Sequence, residues 1–538
     1  ELRDGTTQAV LERYEYDTGA GTNLGGRLAR VSGDFGSAEY GYTPEGLASS
    51  IARRVEGMPG TFVTRFEYNA QRKVTRVTYP DDSSVAYHFA PTGMLQSIPG
   101  YIDAIDYGPT GLRERIAFAS GLETRRRYTP GDYLIKELVT EQMGSGQRYQ
   151  HLVYDLDSVG QVKQMDDLST VPGKVRLNQV YAYDNRNRLT HASGNVAGFD
   201  FTYEYDALGN LLRNGEIDTR FEYRNALGDT NAPNRLVRRL TSAGPEYDYD
   251  SSGNLTRDPE MGTLRYDSRH RLIRVDRPDG SVVEYTYDHN DRRILSRTTA
   301  NGTTHTRVEI EGLYLIDDGV ASRVVFDEDR RLAIVPASGD PLIHHFDRLG
   351  NVNVVSNGRT GAFAGHDEYT PYGRLFISMV IQPAFTFQGG RFSDGLELVL
   401  LGARHYRPSL GRFLTCDPYL LINQDKIPPL LAAANLYVYA YCNPVNFTDP
   451  TGEIAPILIA IIVAAIVGAI IGAIGAGVNG ARTWDEWLLW IVGGAIGAVL
   501  TVLFWYGILI WAGVAAGTAA LAAAIITLGA SVLGLFTP

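Results

Sequence analysis

The sequence predicts a mainly β chain built from hairpin repeats, followed by an apolar helical tail suited to a lipid bilayer. Three observations carry this reading. A unit of alternating aromatic and polar residues, then Tyr-Asp, then a short Gly or Asn turn, then Arg-Leu or Asn-Leu recurs along most of the chain. The 32 Tyr and 58 Gly, against 6 Met, fit many strands joined by many tight turns. After Gly452 the composition changes abruptly, and no charge occurs from Ile454 to Val478. At 538 residues the chain is too long for one ordinary core, so several domains or a repeat architecture are expected. It begins at Glu1 without Met, and is read as a piece of a longer protein. The net charge of −11 disfavours non-specific nucleic-acid binding, and no basic stripe interleaved with aromatics is present.

The clearest repeat copies are Tyr183-Asp184 with Arg188-Leu189, Tyr205-Asp206 with Gly209-Asn210-Leu211, and Tyr249-Asp250 with Gly253-Asn254-Leu255. Tyr266-Asp267 with Arg271-Leu272 and Tyr287-Asp288 with Arg292-Arg293 follow, and weaker copies reach back to Tyr16-Asp17. Spacing centres on about twenty residues, enough for one hairpin. In Phe201-Thr202-Tyr203-Glu204-Tyr205 the aromatics fall on one face and the polar residues on the other, the period of a strand. The Asp can bond backbone two residues on, and Gly or Asn then supplies positive φ. A lone hairpin is marginal, so neighbours must pair side by side into a long sheet. An ordinary antiparallel barrel with a Tyr-rich face is the plainer alternative.

These repeats resemble the YD repeats of Rhs proteins, insecticidal Tc toxin C-components and teneurins, over roughly residues 1–452. Two segments sharpen the resemblance: His345-Phe346-Asp347-Arg348-Leu349-Gly350-Asn351-Val352 and Tyr369-Thr370-Pro371-Tyr372-Gly373-Arg374. The series Gly402-Ala403-Arg404-His405-Tyr406, Gly411-Arg412-Phe413-Leu414, Asp417-Pro418, Asn435-Leu436-Tyr437, Asn443-Pro444 and Asp449-Pro450-Thr451-Gly452 resembles the Rhs repeat-associated core. The resemblance implies a repeat sheet spiralling into a hollow shell over residues 1–374. It further implies a core domain plugging one end over 375–452, and a variable C-terminal domain, often a toxin, over 453–538. Family shells are usually longer, so a partial shell stands beside a full one as an expectation.

The resemblance also implies a self-cleaving aspartic protease in the core domain, with Asp417, Asp449 and Arg404 at the matching positions. Two close carboxylates cannot both ionise, so one keeps a proton as acid while the other activates water. A nearby arginine can hold one carboxylate ionised or steady an oxyanion. The break is expected at Glu453-Ile454. Departures from the family pattern are Tyr419-Leu420 after Asp417-Pro418, an apparent insertion over Leu421–Leu431, and Glu453 where cleaving relatives commonly carry Leu. A purely structural plug is therefore the competing expectation. Cys416 and Cys442 are the only cysteines and read as free buried thiols rather than one disulfide. No metal site, cofactor or phosphate-binding Gly loop is expected.

The tail reads as three apolar helices over about eighty-five residues, the first long enough to cross the roughly 30 Å apolar core of a bilayer. A polar break at Asn479–Glu486 separates it from a charge-free run from Leu488 to Pro538. Gly468 and Gly472, and Gly493 and Gly497, stand four apart, the spacing that lets helix backbones approach in lipid. Three uses are open: a pore-forming toxin, a permanent anchor for a surface or adhesion module, and an apolar connector before a missing toxin. The first implies membrane lipid, an immunity protein and secretion-system components as partners, and no nucleic acid. It implies export and delivery into a target-cell membrane, the second display on the producing cell.

Overall fold

In the computed structural model the described residues are 1–453, apart from 4–9, 18–21, 225–231, 243, 245, 329, 380–386, 388–390, 393–394 and 419–434. The predicted helical tail lies outside them. The chain divides into two compact units, Glu1–Cys416 with Asn435–Thr451 and Asp417–Ala434 with Gly452–Pro538.

The first unit is almost wholly antiparallel β. Among the described residues its strands pair in sequence order, each with the next, in sheets of 8, 2, 12, 14 and 4 strands. The expected single sheet is thus interrupted. Two of the interruptions are local, because backbone bonds continue across them: Tyr87 N donates to Thr75 O at 2.8 Å, and Glu246 N to Val237 O at 2.9 Å. Described helices are single 3₁₀ turns such as Gly215–Ile217, Pro408–Leu410 and Ala440–Cys442. Among the described residues no helix is long and apolar enough to cross a membrane.

The clearest repeats close the same way. Tyr183 of the strand Gln179–Tyr183 pairs with Leu189 of the strand Leu189–Gly194. Between them Asn187 N donates to Asp184 O and Asp184 N to Arg188 O, both at 2.9 Å. Asp184 Oδ1 accepts from the backbone N of Arg186 and of Arg188, both at 2.9 Å, and Oδ2 from Arg188 Nε at 2.8 Å. This is a turn followed by one left-handed residue and a register shift, a common three-residue hairpin. Asp206, Asp267, Asp288 and Asp347 repeat the pattern. The left-handed position is Gly209, Gly253 or Gly350 in some copies, but Arg72, Asn187, His270 or Asp291 in others. The stack of backbone bonds to Asp outweighs the strain of a side chain there.

The tyrosines do more than alternate. Tyr205 Oη donates to Leu189 O, Tyr287 Oη to Leu272 O and Tyr42 Oη to Leu28 O, each at 2.8 Å. Each phenol therefore ties its hairpin to the opening residue of the returning strand in an earlier hairpin. Phe201 and Tyr203 are buried, as the alternation requires.

Among the described residues, three large cores organise the first unit. One joins Val31–Val171 to Ile294–Val354, so strands some two hundred residues apart face each other. Tyr79 Oη, fully buried, donates to Val324 O across this layer at 3.0 Å. The others set the closing region, Tyr369–Val445, against repeats from Leu152 to Leu211, and Leu396–Leu414 against Phe221–Tyr287.

Candidate self-cleavage centre

The candidate site is built on the strand Arg404–Arg407, which pairs with Val399–Leu401 on one side and Arg412–Phe413 on the other. The tight connection before it uses Gly402, whose φ is 48° and whose Cβ would stand 2.0 Å from Thr451 O. Only glycine permits that approach. Ala403 N then donates to Thr451 O at 2.9 Å, which anchors the segment Asp449–Thr451 against the head of the strand.

Arg404 is buried, 2% exposed, with its guanidinium 3.6 Å from the centroid of the Phe413 ring. Its Nη1 donates to Leu436 O at 3.0 Å and its Nη2 to Asp449 Oδ2 at 3.3 Å. Thr451 Oγ1 donates to the other carboxylate oxygen at 3.3 Å. A desolvated cation needs such partners, and the ring face supplies a third. Tyr439 packs against Tyr406 with tilted rings, centroids 4.2 Å apart, and burial, then the Asp449 charge, pushes its phenol well above the usual range.

Two of the three sequence-predicted residues, Arg404 and Asp449, are thus brought together. Asp417 belongs to the second unit, where it is buried. Glu453, half-buried, belongs to it too. Ile454, Gly468, Gly472, Gly493 and Gly497 lie outside the described residues. Both cysteines are free and buried. Cys442 Sγ donates to Gly209 O at 3.3 Å, and burial raises its thiol to about 12.

Sequence reasoning missed how the closing region is fastened. Asn435 Nδ2 donates to Asn210 Oδ1 at 2.8 Å, Asn443 Nδ2 to Asn187 O at 2.7 Å, and Asn446 Nδ2 to Tyr183 Oη at 2.9 Å. Tyr437 Oη donates to Gly253 O at 2.8 Å, and Arg412 lies over the Tyr437 ring at 4.5 Å. Arg407 pairs with Asp258 and Glu260. Asn187, Asn210 and Gly253 lie in the Tyr-Asp turns themselves, whereas Asp258 and Glu260 lie at the connection from the strand Leu255–Asp258 to Gly262–Tyr266. The one available signal was the density of Asn after residue 434. Among the described residues, no group of three His, Cys, Asp or Glu is placed to hold a metal.

Comparison with known proteins places this geometry. A family model described as Teneurin YD-shell matches residues 128–445. The toxin subunit YenC1 of Yersinia entomophaga is 23% identical over 425 residues, covering 66% of this chain and 42% of that one. The double-stranded DNA deaminase toxin A of Burkholderia cenocepacia is 26% identical over 517 residues, covering 84% and 33%. The chain therefore spans less than half the length of these relatives. A crystal structure of TcdB2-TccC3-Cdc42 aligns over 84% of this chain and 26% of its own, with a TM-score of 0.69 at 17% identity. At that identity the likeness is one of fold.

Proposed function

Because this chain belongs to the teneurin YD-shell family, we propose that it is the distal part of a toxin shell whose closing domain cuts the chain to free an apolar cargo. In this reading residues 1–374 are wall, 375–452 close it, and 453–538 are delivered and insert in a target membrane. The similarity to toxin subunits and toxins supports the shell role. The observation that carries the cleavage reading is the pairing of buried Arg404 with half-buried Asp449, anchored by Gly402 and Ala403 two residues before Glu453.

The chemistry follows from that pair. A guanidinium at bonding distance favours the ionised carboxylate, so Asp449 is the base that takes a proton from water. In this reading Asp417 is the acid and gives a proton to the leaving amine of Ile454. Water adds to the Glu453 carbonyl, the Glu453–Ile454 bond breaks, and the proton taken by Asp449 restores the acid. Arg404 then balances the carboxylate charge as it moves between the two residues.

The purified chain should arrive as two fragments, one ending at Glu453, by intact mass. Asp417→Asn and Asp449→Asn should each leave one full-length species. Arg404→Gln should slow cleavage by a factor on the order of 10²–10³, the loss for one electrostatic donor. Wild-type protein that stays whole across pH 4–8 would make the closing domain purely structural.

A further inference from the structure

A cavity of about 610 Å³ opens between the strands around Arg113–Tyr128 and those around Asp327–Phe346. That size suits a small organic ligand. Ile116, Phe118 and Leu332 form an apolar floor, and Arg113, Arg126 and His345 supply its polar groups.

The strand Leu122–Tyr128 explains why one charge here is unusual. Alternation sends Arg125 and Arg127 to one face, where carboxylates meet them: Glu123 and Glu141 for Arg125, Glu137 for Arg127. Arg126 points with Leu122 and Thr124 toward the core side. Among the described residues it makes no ion pair; Tyr128 bonds to it, and the charges that act on it include two more cations, Arg330 and Arg113. The nearby carboxylate, Asp327, is already held by Arg113 Nη1 at 2.6 Å. Burial first, then those cations, pull the Arg126 guanidinium below its ordinary range.

Two more donors in the lining are incompletely used. Arg113 Nη2 is buried and completes no hydrogen bond, although Glu328 Oε2 stands 3.2 Å away. His345 is 2% exposed, with Nε2 2.8 Å from Ser356 Oγ and Nδ1 buried without a partner. When the Ser356 hydroxyl donates to Nε2, the ring proton sits on Nδ1 and makes it a donor. The lining carries four arginines against Asp327, Glu328 and Asp347, an excess of one positive charge. Buried donors such as Arg113 Nη2 and His345 Nδ1 are normally satisfied.

We propose that this cavity binds a small organic oxyanion, a carboxylate or phosphate monoester on a flat apolar body, with Arg126 as its charge partner. Arg113 and His345 donate to the same group, while Ile116, Phe118 and Leu332 pack the apolar part. The inference is independent of self-cleavage and of the tail.

Titration calorimetry of the full chain with phenyl phosphate and with benzoate tests it, the stronger heat naming the oxyanion. Arg126→Met should weaken binding at least tenfold with an unchanged melting temperature, and Arg126→Lys should retain part of it. Arg127→Met, on the other face, should bind as wild type. Photolabelling wild-type protein with 4-azidobenzoate is free of any folding defect in a variant. Label should fall on peptides spanning 112–128 or 330–348 and be protected by excess benzoate. Absence of binding by both probes, equal binding by Arg126→Met, label elsewhere, or inorganic phosphate binding as tightly as phenyl phosphate would each overturn the proposal.

Discussion

Glu216 is a carboxyl group placed where water does not reach it. It accepts from Tyr203 Oη at 2.8 Å, Thr370 Oγ1 at 2.5 Å and Tyr372 N at 2.9 Å, so one side chain ties a repeat to the Thr370-Pro371-Tyr372-Gly373 turn. Burial outweighs those three bonds and raises the group from 4.5 to about 7. A carboxyl raised in the folded state favours folding below its unfolded value and loses that contribution as pH rises through the folded one. Between pH 4.5 and 7 this one residue should therefore cost stability on the order of 3 kcal/mol as pH rises. Buried His345 and His405, each lowered to about 3, act oppositely: their contribution is complete above 6.5 and is lost toward pH 3. Measured by urea midpoints at pH 5, 6, 7 and 8, the stability of wild type relative to Glu216→Gln should fall as pH rises, because the histidines contribute equally to both. Equal slopes would remove Glu216 from the account. None of this was legible in the chain, where Asn214-Gly215-Glu216 looks like any exposed turn. Its burial comes from residues about 155 positions away. Arg404 and Asp449, by contrast, stood out through their motifs, though not the Phe413 ring beneath the arginine.

At the scale of the element, alternation and Tyr-Asp punctuation were readable because both are local. Strand period and turn chemistry need no knowledge of distant neighbours. What the repeats hid is their linkage. Asp267 Oδ1 accepts from Arg269 N at 2.9 Å and Arg271 N at 3.0 Å, and Arg271 Nε reaches Oδ2 at 2.7 Å. The same Arg271 lies 5.0 Å over the ring of Tyr287, whose phenol bonds Leu272 O. One node thus joins two hairpins. Tyr287→Phe removes one buried hydrogen bond and should cost about 1 kcal/mol, while Asp267→Ala strands two backbone donors and should cost roughly 2–3 kcal/mol. Because Arg271 touches both residues, the double variant should fall short of the sum. Urea unfolding of the four proteins measures this, and strict additivity would mean the hairpins are held independently. The left-handed Arg72 and His270 show the limit of reading glycine as the turn signal: Asp or Asn three residues earlier is the better marker.

At the scale of the molecule, the order of strands follows the order of the chain, so topology was largely implied by the repeats. Which strands face each other was not. The packing of Val31–Val171 on Ile294–Val354 depends on the path of the whole first unit, and no local pattern records it. The same holds for the asparagines that dock residues 435–451 on the Tyr-Asp turns. That docking matters for the tail, because it fixes the segment from which the tail departs. A stretch with no charge from Leu488 to Pro538 cannot stay exposed in water without aggregating or entering lipid. In a bilayer, helices satisfy every backbone hydrogen bond internally, so insertion is the stable end state. Freed residues 454–538 should therefore partition into anionic vesicles and release entrapped dye, whereas uncut Asp449→Asn protein should release far less. Gly468→Leu and Gly493→Leu block close helix approach and should reduce dye release more than insertion. Stable insertion without release would identify an anchor. Failure to enter lipid would identify a connector, with the delivered activity residing elsewhere.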